Sequence, residues 1–248
     1  MGLFDRFGWG GTRGEKKERP KNNAATKWAD RVERRVQNYD RQEAIQALSD
    51  LATSDAVIVL LKRFTFHIDP SITDQEEKDA AFRGILRAGM DAIGPVRAFA
   101  GKAESLAWPM KIMKELLPED EYVAELLRWL SRWDTEYAKF VEPKVQILAE
   151  LEEHGQAKIR EEVERFLEDV NEPARFHAAS ALLAQNDPEA VSALARLLGD
   201  EESVRVRSKI AEGLAARGWP VPEGERTAVR KVLPAGWAVD ANGKVTKR

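Results

Sequence analysis

Apolar positions along the chain recur at helical spacing in short blocks, and the blocks come in pairs. The clearest pair lies between Ala174 and Asp200. Ala178, Ala179, Ala181 and Leu182 mark one helix face, Asn186-Asp187-Pro188 interrupts the pattern, and Val191, Leu194, Ala195, Leu197 and Leu198 mark a second face. Pro173 suits the first turn of the leading helix. Asp187 followed by Pro188 predicts an N-cap and a first helical residue for the second. The expected product is two antiparallel helices joined by a short turn.

The leading-helix pattern repeats. A basic or polar anchor is followed by small or apolar residues at +3, +4, +6 and +7, as in RQEAIQAL from Arg41, KDAAFRGI from Lys78, RFHAASAL from Arg175 and RSKIAEGL from Arg207. Looser copies start at Lys144 and Pro109, where Glu150 and Glu115 occupy +6. Successive anchors lie 37, 31, 35, 31 and 32 residues apart, the spacing of a two-helix unit stacked side by side. Small residues at +3 and +6 let neighbouring helices approach, while the larger residue beside them fills the space between layers. No single unit could bury its apolar face alone, so each depends on its neighbours.

The ends read differently. Thr26 to Tyr39 predicts a capping helix with Trp28, Val32, Val36 and Tyr39 on one stripe, and Trp28 is assigned to cap packing. Glu225 to Leu233 predicts a last helix. Asn242-Gly243 then predicts a two-residue hairpin turn, with Trp237 and Val239 facing inward. Residues 1–25, rich in Gly, Lys and Arg, are expected to be disordered. Within them Leu3, Phe4, Phe7 and Trp9 suggest a docking peptide for a protein groove or, helped by the basic stretch, for peripheral contact with a membrane surface. The expected division is therefore a tail over 1–25, a repeat array over 26–220 and a C-terminal cap over 221–248.

Composition narrows the classes. Apolar residues make up 43% and charged residues 33%, which suits a folded helical protein and not wholesale disorder. The longest apolar run, Ala56 to Leu61, is far short of a membrane span, and no apolar signal-peptide core stands at the N-terminus. Cysteine is absent, which excludes disulfides and thiolate chemistry and fits a cytoplasmic setting. Residues 1–27 hold seven basic and three acidic side chains, a net +4 within a chain of −3, so the remainder carries −7. An acidic body argues against a nucleic-acid partner, which needs a basic face.

Ala174 to Asp200, continued by the run from Val206 to Leu214, resembles the bacterial HEAT repeats related to phycobilisome-lyase repeats. The likeness is specific over about 171–215, fair over 40–100, and carried only by spacing over 105–170. It implies an all-α, right-handed α-solenoid of about six HEAT-like helical hairpins, closed by the small C-terminal β-hairpin. The first helices would lie outside and the second helices inside. It also implies binding far more often than catalysis.

Enzyme chemistry finds little support. The three histidines, His67, His154 and His177, form no metal-ligand spacing, and phosphate loops and nucleophile elbows are missing. No His-Glu dipeptide of the kind deoxyhypusine hydroxylases use occurs. Neither a catalytic residue, a metal site nor a cofactor is therefore assigned. A HEAT-like alkylpurine DNA glycosylase would set tryptophans beside an aspartate, which invites comparison with Trp129, Trp133 and Asp134. The resemblance is poor, because Tyr137 stands four residues after Trp133 where that family carries its aspartate. The leading expectation is a non-enzymatic adaptor or scaffold that binds a protein on the inner row of second helices. Lys62, Arg97, Arg128, Arg132, Arg165 and Arg196 are its polar candidates and Trp129 and Trp133 its aromatic hot spots. The alternative is a DNA-binding or base-removing protein.

Overall fold

A computed structural model describes residues 24–248. Among the described residues twelve α-helices pair into six successive hairpins. The first helices are α1 (Asn38–Leu51), α3 (Ser71–Arg87), α5 (Ala107–Leu116), α7 (Glu142–Glu150), α9 (Glu172–Ala184) and α11 (Val204–Arg217). The second helices are α2 (Ser54–Leu61), α4 (Ile93–Ala100), α6 (Glu119–Leu130), α8 (Ala157–Val163), α10 (Val191–Asp200) and α12 (Arg226–Val232). Like packs on like: α1 on α3, α3 on α5, α7 on α9 and α9 on α11 in one layer, with α2 on α4 and α10 on α12 in the other. The result is an α-solenoid.

Local chemistry explains the hairpins. Thr53, Asp187 and Ser203 each accept a backbone N–H with the side chain at the start of a helix, relieving donors that no helical partner could satisfy. Asp187 and Pro188 act as the sequence predicts, except that Pro188–Ala190 is a 3-10 turn leading into α10. The small +6 positions are where the layers close. A methyl group added at Gly84 would lie 2.0 Å from Ser49 Oγ, and one at Gly213 would lie 2.4 Å from Leu183 Cδ1. Larger side chains there would hold α3 off α1 and α11 off α9.

The anchors have a purpose that spacing did not reveal. Arg41 is fully buried; its Nε donates to Glu77 Oε2 at 2.6 Å and its Nη2 to Glu77 Oε1 at 3.0 Å. Arg63 Nε donates to the same Glu77 carboxylate at 2.7 Å, and Arg63 Nη2 and Lys78 Nζ donate to Asp74 at 2.7 and 2.6 Å. Lys144 reaches Asp169, Arg175 grips Glu201 with both arms of its fork, and Arg207 Nη1 donates to the Val232 carbonyl. Arg41, Lys144 and Arg175 tie their units to the chain that enters or forms the next first helix, while Lys78 pairs within its own helix and Arg207 within its own hairpin, because a buried cation needs a partner to offset desolvation.

Two expectations at the ends need correction. The capping helix over Thr26–Tyr39 is only a 3-10 turn, Thr26–Arg31, followed by bends, and Tyr39 belongs to α1 and is 78% exposed. The Arg41 guanidinium accounts for the break: its Nη1 takes the Val36 carbonyl at 2.5 Å, drawing that backbone away from a helical ladder. At the other end, α12 is the second helix of the sixth hairpin and packs on α10. Strands β1 (Trp237–Val239) and β2 (Val245–Lys247) pair antiparallel. The connection is longer than a two-residue turn, with the Asp240 N–H donating to the Lys244 carbonyl and Gly243 at φ +86°. That is the longer hairpin loop whose last residue must be left-handed. Trp237 and Val239 are half-buried, and Val245 is the buried residue. The expected docking residues Leu3, Phe4, Phe7 and Trp9 lie outside the described residues.

Candidate functional site

The second helices present a row of cations near their C-terminal ends. Lys62 follows α2, Arg97 is on α4, Arg128 on α6, Arg165 just beyond α8 and Arg196 on α10. Apart from Arg196, which stands mid-helix on α10, these cations face the negative end of the helix dipole, which favours them there on local grounds. What makes them a surface is the contacts between neighbours. Arg97 Nε donates to Glu125 Oε2 at 2.9 Å, and Arg128 Nη1 stands 3.8 Å from the same oxygen. Glu125 is itself 1% exposed, so a buried carboxylate ties the α4 and α6 arginines together. Arg165 Nη2 donates to the Leu130 carbonyl at the end of α6, and the guanidinium Cζ lies 4.3 Å over the Phe166 ring. Arg196 shares a shallow groove of ≈ 210 Å³ with Glu164, Glu168 and Asp200.

Among the described residues Lys62, Arg132, Arg165 and Arg196 have no carboxylate within ion-pair distance. Their charge is free for a partner. The row is not uniformly basic, because Glu161 and Glu162 are exposed on α8 and three carboxylates line the Arg196 groove.

The two aromatic candidates separate. Trp129 is 2% exposed, so it belongs to the core rather than to the open surface, and its indole N–H has no acceptor among the described residues. The sequence allowed this, since the apolar positions of α6 span more than one stripe, and the helix packs on α5 and α7 while Glu121, Ala124 and Arg128 stay exposed. Trp133 is half-buried. Both border a cleft of ≈ 400 Å³ where the ends of α4 and α6 meet the start of α7, with Leu106, Phe140 and Pro143. Phe140 and Tyr137 are 48% and 79% exposed beside it. Lys102, Glu125 and Phe140 were not singled out by the sequence as site residues. An acid among the apolar positions of α6 was the available signal for Glu125.

The candidate catalytic groups are otherwise engaged. Asp134 is exposed, and its Oδ1 accepts the Glu136 N–H at 3.1 Å, holding a turn. Each histidine pairs with a carboxylate: His67 with Asp74, His154 with Glu119 and His177 with Glu152. No group of His, Asp and Glu among the described residues could hold a metal ion.

Residues 118–215, from the residue before α6 into α11, match a family model described as HEAT repeats. This stretch is built of HEAT repeats. It contains two of the anchor pairs, Lys144 with Asp169 and Arg175 with Glu201, and most of the cation row. HEAT repeats are in general interaction and scaffold modules and typically not enzymes. No curated protein and no solved structure matches the chain. No helix among the described residues is long and apolar enough to cross a membrane.

Proposed function

We propose that the protein is a non-enzymatic adaptor or assembly scaffold that binds a protein partner along the second-helix face of its HEAT solenoid, in the cytoplasm. The supporting observation is the cation row, in which Lys62, Arg132, Arg165 and Arg196 stand without carboxylate partners among the described residues. An unpaired exposed arginine adds specificity and encounter rate when a partner supplies the opposite charge. Interspersed carboxylates at Glu161, Glu162 and Asp200 suit a mixed-charge protein surface. They would repel a phosphate backbone, which rewards an unbroken basic track.

The test is affinity purification of the intact chain and of an Arg128→Glu/Arg165→Glu/Arg196→Glu variant, followed by mass spectrometry. The reading expects one protein enriched by the wild type and lost from the variant. Recovery of nucleic acid alone, or equal recovery by both chains, would overturn it. The DNA-directed alternative expects base release from methylated DNA, and Trp129, buried as it is, gives a flipped base no open face to stack on.

A further inference from the structure

The cleft where α4, α6 and α7 meet is set apart by its aromatic lining rather than by its size, since the grooves between α9 and α11 and between α5 and α7 hold ≈ 390 and ≈ 380 Å³. Leu106, Trp129, Trp133, Phe140 and Pro143 make an apolar wall around ≈ 400 Å³, a volume in the range of ligand clefts, ~300–1,000 Å³. The charged groups at its rim are mostly cationic. Lys102 and Arg132 outnumber Glu104, and Lys139 Nζ lies 5.1 Å from the Phe140 ring. Among the described residues neither Lys102 nor Arg132 has a carboxylate partner. Gly101 allows this arrangement, because a methyl group there would come within 3.0 Å of Arg132 Nη1. The guanidinium therefore lies across bare backbone at the cleft's edge.

The array is also looser here. Where other units have Gly or Ala at +6, the third and fourth have Glu115 and Glu150. α5 and α7 are bridged by polar groups, with Lys114 Nζ donating to Glu150 Oε1 at 2.7 Å and the Leu106 N–H to Gln146 Oε1 at 2.6 Å. That seam has a groove of its own beside Met110, Gln146 and Glu150, and the Leu106–Gln146 bond ties it to the wall of the aromatic cleft.

We infer that this cleft is a docking site for an acidic linear segment of a partner protein, one bulky apolar side chain filling it and flanking carboxylates pairing with Arg132 and Lys102. The inference rests on the protein-binding reading above and names the chemistry of the partner. Charge selects this occupant. The chain's own residues 1–27 carry apolar side chains too, but their net charge of +4 matches the sign of the rim and would be repelled. An acidic segment is attracted, and an aromatic or leucine anchor placed between Trp133 and Phe140 forms the kind of central pocket that dominates interface energies.

The experiment is fluorescence anisotropy on the full chain with a fluorescein-labelled Asp-Glu-Glu-Leu-Phe-Glu-Asp-Glu peptide. Saturable binding is expected. It should weaken at least about tenfold with Arg132→Glu, with Trp133→Ala and with Ser replacing both apolar peptide residues, and should hold within about twofold with Arg83→Glu on α3. Lys102→Glu, in an exposed loop, repeats the charge test without touching the half-buried Trp133. Absence of saturable binding overturns the inference. So does equal affinity for a peptide with Lys in place of every acid, or tighter binding of oligothymidine. If the peptide fails while Arg196→Glu still costs the chain its protein partner, the cleft assignment falls and the scaffold reading survives. If Arg196→Glu and its neighbours leave partner recovery intact, the scaffold reading falls with it.

Discussion

Glu77 stands between two guanidiniums with its side chain sealed from solvent, accepting from Arg41 and Arg63 at once. Glu77→Gln keeps the shape and removes the charge, leaving two buried cations undercompensated. Urea unfolding should show a loss of about 3–5 kcal/mol, and a loss no larger than that of an exposed substitution would contradict the assignment. Acid acts on the same class of groups. Burial raises the Asp74 carboxyl, but the hydrogen bonds from Lys78 and Arg63 outweigh it and hold the group well below the usual carboxylate range. In Glu201 burial is likewise outweighed by Arg175 and the Ser203 N–H, and in Glu150 by Lys114. The unfolded chain therefore binds more protons than the folded one on the acid side. This stability is fully present above the ordinary carboxylate range, about pH 4, and is lost as pH falls through the lower folded values. A melting temperature that held steady from neutrality to well below that range would rule this out.

At the scale of the elements, the layers are closed by small residues at fixed positions. Gly84→Ala would press a methyl group against both Ser49 Oγ and Ser49 Cβ, the latter at 2.7 Å, and α3 must shift away from α1. The cost should be about 1–3 kcal/mol by chemical denaturation, despite alanine's better helix propensity. A neutral result would mean that the close approach is not built into the fold. This part of the architecture was legible, because small side chains at +3 and +6 leave a periodic trace that survives without coordinates. The anchors were legible as a pattern but not as a mechanism. Nothing in the spacing of Lys144 or Arg175 says that each turns inward to an acid, Asp169 or Glu201, lying just before the next first helix. The capping helix was misread for a related reason. Val32, Val36 and Tyr39 keep a helical period, but the backbone there answers to Arg41, a tertiary contact that local periodicity cannot register. The hairpin was read correctly in place and in outline, while its loop length depended on Asp240 folding back over the turn, its Oδ1 accepting the Lys244 N–H at 2.8 Å.

For the whole molecule, the second-helix face carries the cation row, and the aromatic cleft opens where the ends of α4 and α6 meet the start of α7. Of the cation candidates read from the sequence, Arg97, Arg128 and Arg196 lie on second helices, while Lys62, Arg132 and Arg165 lie just beyond the ends of theirs. The cleft was half visible: Trp129 and Trp133 could be picked out together, but not that Trp129 would sink into the core while Trp133 and Phe140 framed an opening. The measurement that bears most directly on the claim of a binding face is photo-crosslinking in cells. A benzophenone side chain would be placed in turn at Ala98, Ala124 and Ser192, exposed on α4, α6 and α10, and at Gln42 and Arg83, exposed on α1 and α3. A single protein captured from the second-helix positions and absent from the first-helix positions is the predicted result. Capture from the first-helix positions alone, or of nucleic acid from the second-helix positions, would contradict the account.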